Sequence, residues 1–352
     1  MAKSTENEKI LEQQLEYVYF QIIALLTTGI NKIYETKAQF DLRGLLGGAE
    51  KFMDSLIHSM NFLPQFLLGS VSCLRISPLV RNNIGNLIKS SYTKDLIFAL
   101  LISNNQLIHL VRPKKHLLHP KGFFSNLEKL FTFLTFFFLT DLHIIFNFVN
   151  NSISFKSSES WTPLCLPHFN DKGFLHCFIC FFTPEICCLL ISTKPEKFYE
   201  MREIKNQIHQ KLEETGSLSE LENASKNCEY KISDITQPVP HLLHFLYKST
   251  PTSQFTSPAF TSPYHQKKHQ KRLFRLYQHV YQRMRSTEDE ERIWFHISSY
   301  ESILGWVGVG FELYATFGPL ITKKTAIKVS NYLLVWIKQY EQELFILNSP
   351  VW

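Results

Sequence analysis

The stretch LIFALLISNNQLIHLVR, residues 96–112, decides the fold class. Its first run, residues 96–102, is short, continuous and apolar, which fits a buried strand. Asn104 and Asn105 give a turn signal, and residues 107–112 form a second run of the same kind. Two such runs around a short polar turn make a hairpin. Reading outward, DLHIIFNFV (141–149) has helical character, with Asp141 placed to cap its N-terminus. SWTPLCLP (160–167), FLHCFICFF (174–182) and ICCLLIS (186–192) then read as strands. Residues 195–215 form a long helix, opened by Pro195 and stopped by Gly216. The order is ββαβββα.

The last third of the chain repeats that order. HLLHFLYKS (241–249) and QFTSPAF (254–260) form a hairpin, and residues 265–285 a helix. RIWFHIS (292–298), ILGWVGVG (303–310) and FELYATF (311–317) are strands, and residues 323–341 a closing helix. Two copies predict an α+β protein, each unit an antiparallel sheet with helices laid on it. Upstream, residues 8–28 carry Leu11, Leu15, Val18, Tyr19, Ile22, Leu25 and Leu26 at helical spacing. Gly29 stops that helix, and a second helical stretch runs to about Met60 with a break near Gly47 and Gly48. These helices read as the tail of a third unit whose sheet is missing, so the stripe over residues 11–26 is expected to have no sheet to cover. The division is 1–62, 63–216 and 217–352. Residues 121–139, KGFFSNLEKLFTFLTFFFL, fit neither a helix stripe nor a strand alternation and read as an insert.

Composition bounds the function. With 352 residues and 45% hydrophobic content the chain buries a real core, so a wholly disordered protein is excluded. A net charge of +6 permits contact with a membrane surface or nucleic acid without arguing for either. Seven cysteines in so long a chain do not make a disulfide scaffold. The polar start MAKSTENEKI predicts no signal peptide and a cytoplasmic location.

No catalytic frame is present: no Walker A, no GxSxG, no HExxH. Cys177 and Cys180 form a CxxC, but three residues apart on a strand their side chains point to opposite faces, so buried thiols are expected rather than a zinc site. His116 and His119 lack a third ligand at sensible spacing and read as a solvated loop. The glycines of GWVGVG lie within an apolar strand with no helix N-terminus behind them, which argues against a phosphate loop. Residues 288–291 read as an exposed acidic loop. No cofactor and no metal follow. The helix at 265–285 is more informative. Lys267, Lys268, Lys271, Arg272, Arg275, Arg283 and Arg285 are basic with no acid among them, while Leu273, Leu276, Tyr277, Val280 and Met284 share one face. A surface helix on a sheet is the plain reading. Contact of Lys267, Lys268, Lys271, Arg272 and Arg275 with anionic lipid is the sharper one. Nucleic acid is disfavoured, because no aromatic stacking platform accompanies the charge. A membrane span through residues 130–149 is opposed by Asp141, His143 and Asn147.

FDLRGLLGGAE (40–50), FLLGSVSCL (66–74), NQLIHLVRPKKHLLHP (105–120), DLHIIFNFVNNSISF (141–155) and ESWTPLCLPHFNDKGFLH (159–176) together resemble the vacuolar fusion protein Mon family. LLISTKPEKF (189–198), HFLYKS (244–249), QFTSP (254–258), FELY (311–314) and ELFIL (343–347) extend the resemblance in order and spacing to the C-terminus. It implies three longin-type domains: the C-terminal helices of a truncated first domain, a second domain at 63–216 with the atypical insert, and a third at 217–352. It implies a Ccz-type partner subunit and a late-endosomal, Rab-seven-type GTPase as the object of nucleotide exchange. An anionic or phosphoinositide-containing membrane surface, and a third subunit in animals, complete the implied partners. Endosome maturation and vacuole or lysosome fusion are the implied processes, with peripheral association to those membranes. Exchange needs no acid, base or nucleophile, so no enzyme chemistry is expected. The family's first domain begins with a sheet, and this chain begins at about its last two helices, so the exchange surface is expected to be mostly absent. Removing residues 121–139 restores the family spacing, and their Phe-rich composition resembles a translated intron. The alternatives are therefore a truncated isoform or faulty gene model that binds the Ccz-type partner without exchange, and a protein anchored in a membrane through the Phe-rich segment.

Overall fold

The computed structural model describes residues 8–37, 39–112, 127–285 and 292–347. The chain opens with four helices, α1 (Glu8–Leu26), α2 (Gly29–Thr36), α3 (Glu50–Met60) and α4 (Pro64–Leu68), then a short strand β1 (Val71–Cys73) and α5 (Pro78–Ser90). The first repeat follows as β2 (Leu96–Ser103), β3 (Gln106–Val111), α6 (Leu127–Asn151), α7 (Ile153–Ser157), β4 (Ser160–Leu166), β5 (Asn170–Phe181), β6 (Ile186–Ser192) and α8 (Phe198–Glu214). Helix α9 (Ser217–Lys226) leads to the second repeat: β7 (Leu242–Ser249), β8 (Gln254–Thr256), α10 (Lys267–Arg285), β9 (Arg292–Ile297), β10 (Ser302–Gly308), β11 (Phe311–Phe317) and α11 (Lys323–Gln339). A last turn, α12 (Glu341–Leu344), ends the regular structure.

Among the described residues all eleven strands join one sheet in the order β4-β5-β6-β2-β3-β1-β8-β7-β11-β10-β9. Each repeat contributes five antiparallel strands in the same sequence of neighbours: third, fourth, fifth, first, second. The two half-sheets meet at their second strands, β3 and β8. Strand β1 lies between them and pairs with both in parallel, Ser72 opposite Gln106 on one side and Phe255 on the other. The expected ββαβββα order is thus present twice.

Both faces of each half-sheet are buried over its inner strands. In β2, Phe98, Leu100 and Ile102 pack on α6 through Leu142, Ile145 and Phe146. Ala99 and Leu101 pack on the other face with Val80 and Ile84 of α5 and Met201, Ile204 and Ile208 of α8. That alternation is the period-two signature of a strand covered on both sides. In the second repeat α11 supplies Val329, Leu333 and Trp336 to one face, and α10 supplies Leu273, Tyr277 and Val280 to the other.

Three expectations are corrected. Helix α1 does have a partner surface: it packs on α3, α6 and β4. It buries Ile10, Tyr17, Ile23 and Ala24; of the expected stripe Val18, Leu25 and Leu26 pack partly buried, whereas Leu15 and Tyr19 are 69% and 45% exposed. Asp141 is not an N-cap. It lies inside α6, which begins at Leu127, and its buried carboxylate accepts from the backbone N–H groups of His168 (3.3 Å) and Phe169 (3.2 Å) in the β4–β5 turn. Residues 127–139 of the Phe-rich segment continue α6 as helix, whereas residues 113–126 lie outside the described residues, together with His116 and His119. The acidic run at 288–291 also lies outside them.

Candidate functional site

Helix α10 carries every predicted site residue. Its apolar residues recur at three and four, so one side faces the sheet and the other faces water. Leu273, Phe274, Tyr277, Val280, Tyr281 and Met284 are buried against β7, β10 and β11. The seat is tight: a Cβ on Gly305 of β10 would stand 2.7 Å from Val280 Cγ1, closer than carbon atoms approach. The glycine of GWVGVG therefore answers to packing, and Gly310 answers to the β10–β11 turn, where φ is +80°.

Of the five predicted residues, Lys267, Lys268, Lys271 and Arg275 are exposed. Lys271 Nζ lies over the Phe62 ring at 5.7 Å, which ties the basic face to the end of α3. Arg272 has a different position. Its guanidinium donates to Glu301 at 2.8 Å and stacks on Tyr300 at 4.6 Å, closing the β9–β10 turn. Glu301 is buried, so Arg272 neutralises a carboxylate that water does not reach.

A second polar centre lies where the repeats join, and the sequence reading missed it. Lys248 of β7 donates to the Leu68 carbonyl at the end of α4 (2.6 Å) and stands 3.7 Å from Glu312 of β11. Arg285 of α10 donates to the same carboxylate at 2.9 Å, and the Tyr314 hydroxyl donates to its other oxygen at 2.9 Å. Burial alone pushes the Glu312 carboxyl upward, but Lys248, Arg285 and Tyr314 outweigh it and hold the group below the usual range. Burial depresses Lys248, with Glu312 opposing. Lys248 is the more buried partner of Glu312 and Arg285 the closer one, with solvent screening part of the Arg285 contact.

The C-terminal segment seals the same joint. Gln254 of β8 donates through Nε2 to Ile346 O (2.9 Å), and its Oε1 accepts from Ile346 N (2.7 Å) and from Cys73 Sγ of β1 (3.0 Å). Arg81 of α5 donates to Ile108 O, Leu74 O and Glu343 O at 2.8–2.9 Å. Arg75 pairs with Glu343 at 3.0 Å and stacks on Tyr230 and Tyr340. On the α1 side, His143 of α6 bridges the Tyr17 hydroxyl (3.0 Å) and the Ser70 carbonyl (3.1 Å), and burial drives it down to about 4. The signal for this centre was Lys248 within the strand LLHFLYKS, a residue type seldom buried unless paired.

The cysteines follow the strand periodicity. Cys177 and Cys187 face the α6 side, and Cys180 and Cys188 the α8 side. Burial pushes the Cys177 thiol upward, away from the reactive thiolate. Among the described residues no group of three His, Cys, Asp or Glu side chains is placed to hold a metal, and no helix is long and apolar enough to cross a membrane.

Models of the first, second and third longin domains of FUZ, MON1 and HPS1 match residues 1–56, 138–210 and 241–341. The chain is 36% identical to vacuolar fusion protein MON1 homolog A of Gallus gallus, an alignment covering 100% of this chain and 61% of that protein. It is 35% identical to Protein SAND of Takifugu rubripes, over 99% of this chain and 64% of that protein. To vacuolar fusion protein MON1 of Yarrowia lipolytica it is 31% identical, over 100% and 62%. The chain thus spans about three fifths of the length of these relatives.

Proposed function

The chain belongs to the MON1 family of vacuolar fusion proteins, and from that membership we propose that it is one subunit of a heterodimeric guanine-nucleotide exchange factor. Its object is a late-endosomal, Rab-seven-type GTPase, its partner a Ccz-type subunit, and its setting the fusion of endosomes with vacuoles or lysosomes. The observation that carries this reading is the pair of longin repeats matched in order to the family's domains. An exchange factor works by binding the nucleotide-free GTPase better than the loaded one, which calls for surfaces and not for a reactive centre. In the same reading the chain attaches to membranes peripherally through Lys267, Lys268, Lys271 and Arg275, with Arg272 supporting that face.

The test is co-expression with a Ccz-type subunit, purification of the pair, and release of fluorescent GDP from the Rab-seven-type GTPase. Release above the intrinsic rate supports the exchange reading and shows that the first-domain helices present in this chain suffice for it. A stable pair that leaves release at the intrinsic rate overturns the exchange reading. Sedimentation with phosphatidylserine vesicles tests the membrane face. Lys267→Glu with Lys268→Glu is expected to reduce binding at least tenfold, and unchanged binding removes that face from the proposal.

A further inference from the structure

The geometry points to β9 as a docking edge: we propose that it receives an extended segment of a partner protein in which apolar and acidic residues alternate. This inference does not depend on the exchange reading.

The sheet has two outer edges, and they are finished differently. At β4 the helices cover the edge. Ile23 and Ile30 pack on Cys165, and Thr28 donates through both N and Oγ1 to the Asp171 carbonyl. At β9, among the described residues, no strand lies beyond. β9 pairs with β10 alone, over six residues and without a register shift. On such a strand alternate N–H and C=O groups point away from the sheet, ready for another chain. Natural edges are usually blunted by proline, by inward-facing lysine or by a bulge. RIWFHI carries no proline and no lysine, and its pairing shows no bulge.

The two faces of this edge differ in chemistry. On the α11 side Phe295 is half-buried in the core with Trp306, and Ile293 and Ile297 are 40% and 61% exposed beside it. On the α10 side Trp294 stacks on His296 at 5.2 Å, and His279 lies 5.8 Å from Trp294. His279 sits in one helical row with Lys271 and Arg275, eight and four residues before it, and both are exposed. A strand added to β9 would therefore meet apolar side chains on one face and a basic row on the other. Side chains alternate faces along a strand, so the complementary segment alternates apolar with acidic residues. A second copy of this chain fits poorly. A two-fold pairing of β9 with itself would bring two basic α10 rows together, and like charges in apposition disfavour the contact.

The probe is a fluorescein-labelled eight-residue peptide of alternating Glu and Ile, titrated into the full chain, with the Lys/Ile peptide as control. Saturable binding of the Glu/Ile peptide, at least tenfold tighter than the control, is expected. Amide exchange across residues 292–297 should slow at least tenfold on binding. Arg275→Glu and Ile297→Lys, both at surface positions, should each weaken binding about tenfold with the melting temperature unchanged. Leu15→Lys, on the exposed side of α1, should leave it intact. No binding, binding without protection of β9, or equal binding of both peptides overturns the proposal. Self-association that Ile297→Lys abolishes also overturns it, in favour of a second copy.

Discussion

The two repeats share one strand order and one pattern of helices, yet they are finished differently. The first is closed: α5 and α8 cover one face, α6 the other, and α1 and α2 seal its outer strand. Among the described residues its interior charges are chiefly Asp141 and Arg81: the His168 ring and two backbone N–H groups face Asp141, and backbone carbonyls accept from Arg81. In the second repeat, among the described residues, no element covers the free edge of the outer strand, and the repeat presents a basic helix. It also concentrates buried charge, with Lys248, Glu312 and Arg285 converging on one point. A shared fold therefore does not imply a shared role. What the repeats have in common specifies the architecture, and what differs between them marks the surfaces available to partners.

The sharpest way to break this contrast is at Glu312. Replacing it by alanine strands Lys248 in the interior and removes the partner of Arg285 and Tyr314. Truncating one member of a buried ion pair costs about 3–5 kcal/mol. Glu312→Ala should lower stability by that order in urea unfolding. Cys188→Ala in the first repeat, which removes one buried sulfur, should cost only about 1–2 kcal/mol. Equal losses would erase the distinction between a charge-centred and an apolar repeat.

Acid sharpens the same comparison. Burial depresses His109 and His143 to about 4 and His244 to about 3, all below the ordinary value of 6.5. The unfolded chain therefore binds more protons than the folded one between these values. The stability they contribute is complete above about pH 6.5 and is lost as pH falls toward 4. Each tenfold change in proton affinity corresponds to about 1.4 kcal/mol, so each histidine contributes on the order of 3 kcal/mol across that window. Unfolding free energy measured from pH 7 to pH 4.5 should fall steeply. His143→Gln should flatten that slope by about one proton, and an unchanged slope would show that His143 is not held neutral.

The joint comes next in size. Gln254→Leu removes the two hydrogen bonds that hold Ile346 and leaves its backbone groups unpaired, at a cost of about 2 kcal/mol. Amide exchange at Ile346 should accelerate while the strands of both repeats keep their protection. Loss of protection throughout the sheet would instead make the C-terminal segment part of the core.

These effects also show what sequence can convey. Both ββαβββα units were legible, because strand runs, turn residues and the helices after residues 195, 265 and 323 carry local periodicity. The basic face of α10 was legible for the same reason. Helix α5 was announced by Ser77 and Pro78, an N-cap followed by proline at the first helical position, yet it went unread. The joint was not legible. Strand β1 has three residues, too few for its alternation to be read, and β3 and β8 hold it from both sides. Lys248, Gln254 and Arg81 acquire their meaning from partners up to 262 positions away. The face of α1 was misjudged because its sequence is apolar on more than one side, and only tertiary packing selects Tyr17 and Ala24 over Leu15 and Tyr19.

The smallest effect separates structural from exposed charge within α10 itself. Arg272 answers the buried carboxylate of Glu301 but is itself about one-third exposed, so solvent screens part of the pair. Arg272→Ala should cost about 1 kcal/mol, because Glu301 is left with less water than a free carboxylate needs. Lys268 stands fully outward on the same helix, and Lys268→Ala should change stability by less than about 0.5 kcal/mol. In vesicle binding the order should reverse, with Lys268 mattering more than Arg272, since only an unengaged ammonium group is available to a phosphate. If Arg272→Ala weakens vesicle binding more than Lys268→Ala while leaving the melting temperature unchanged, then Arg272 serves the membrane rather than the β9–β10 turn. The basic face would then extend to the bare edge of the second repeat.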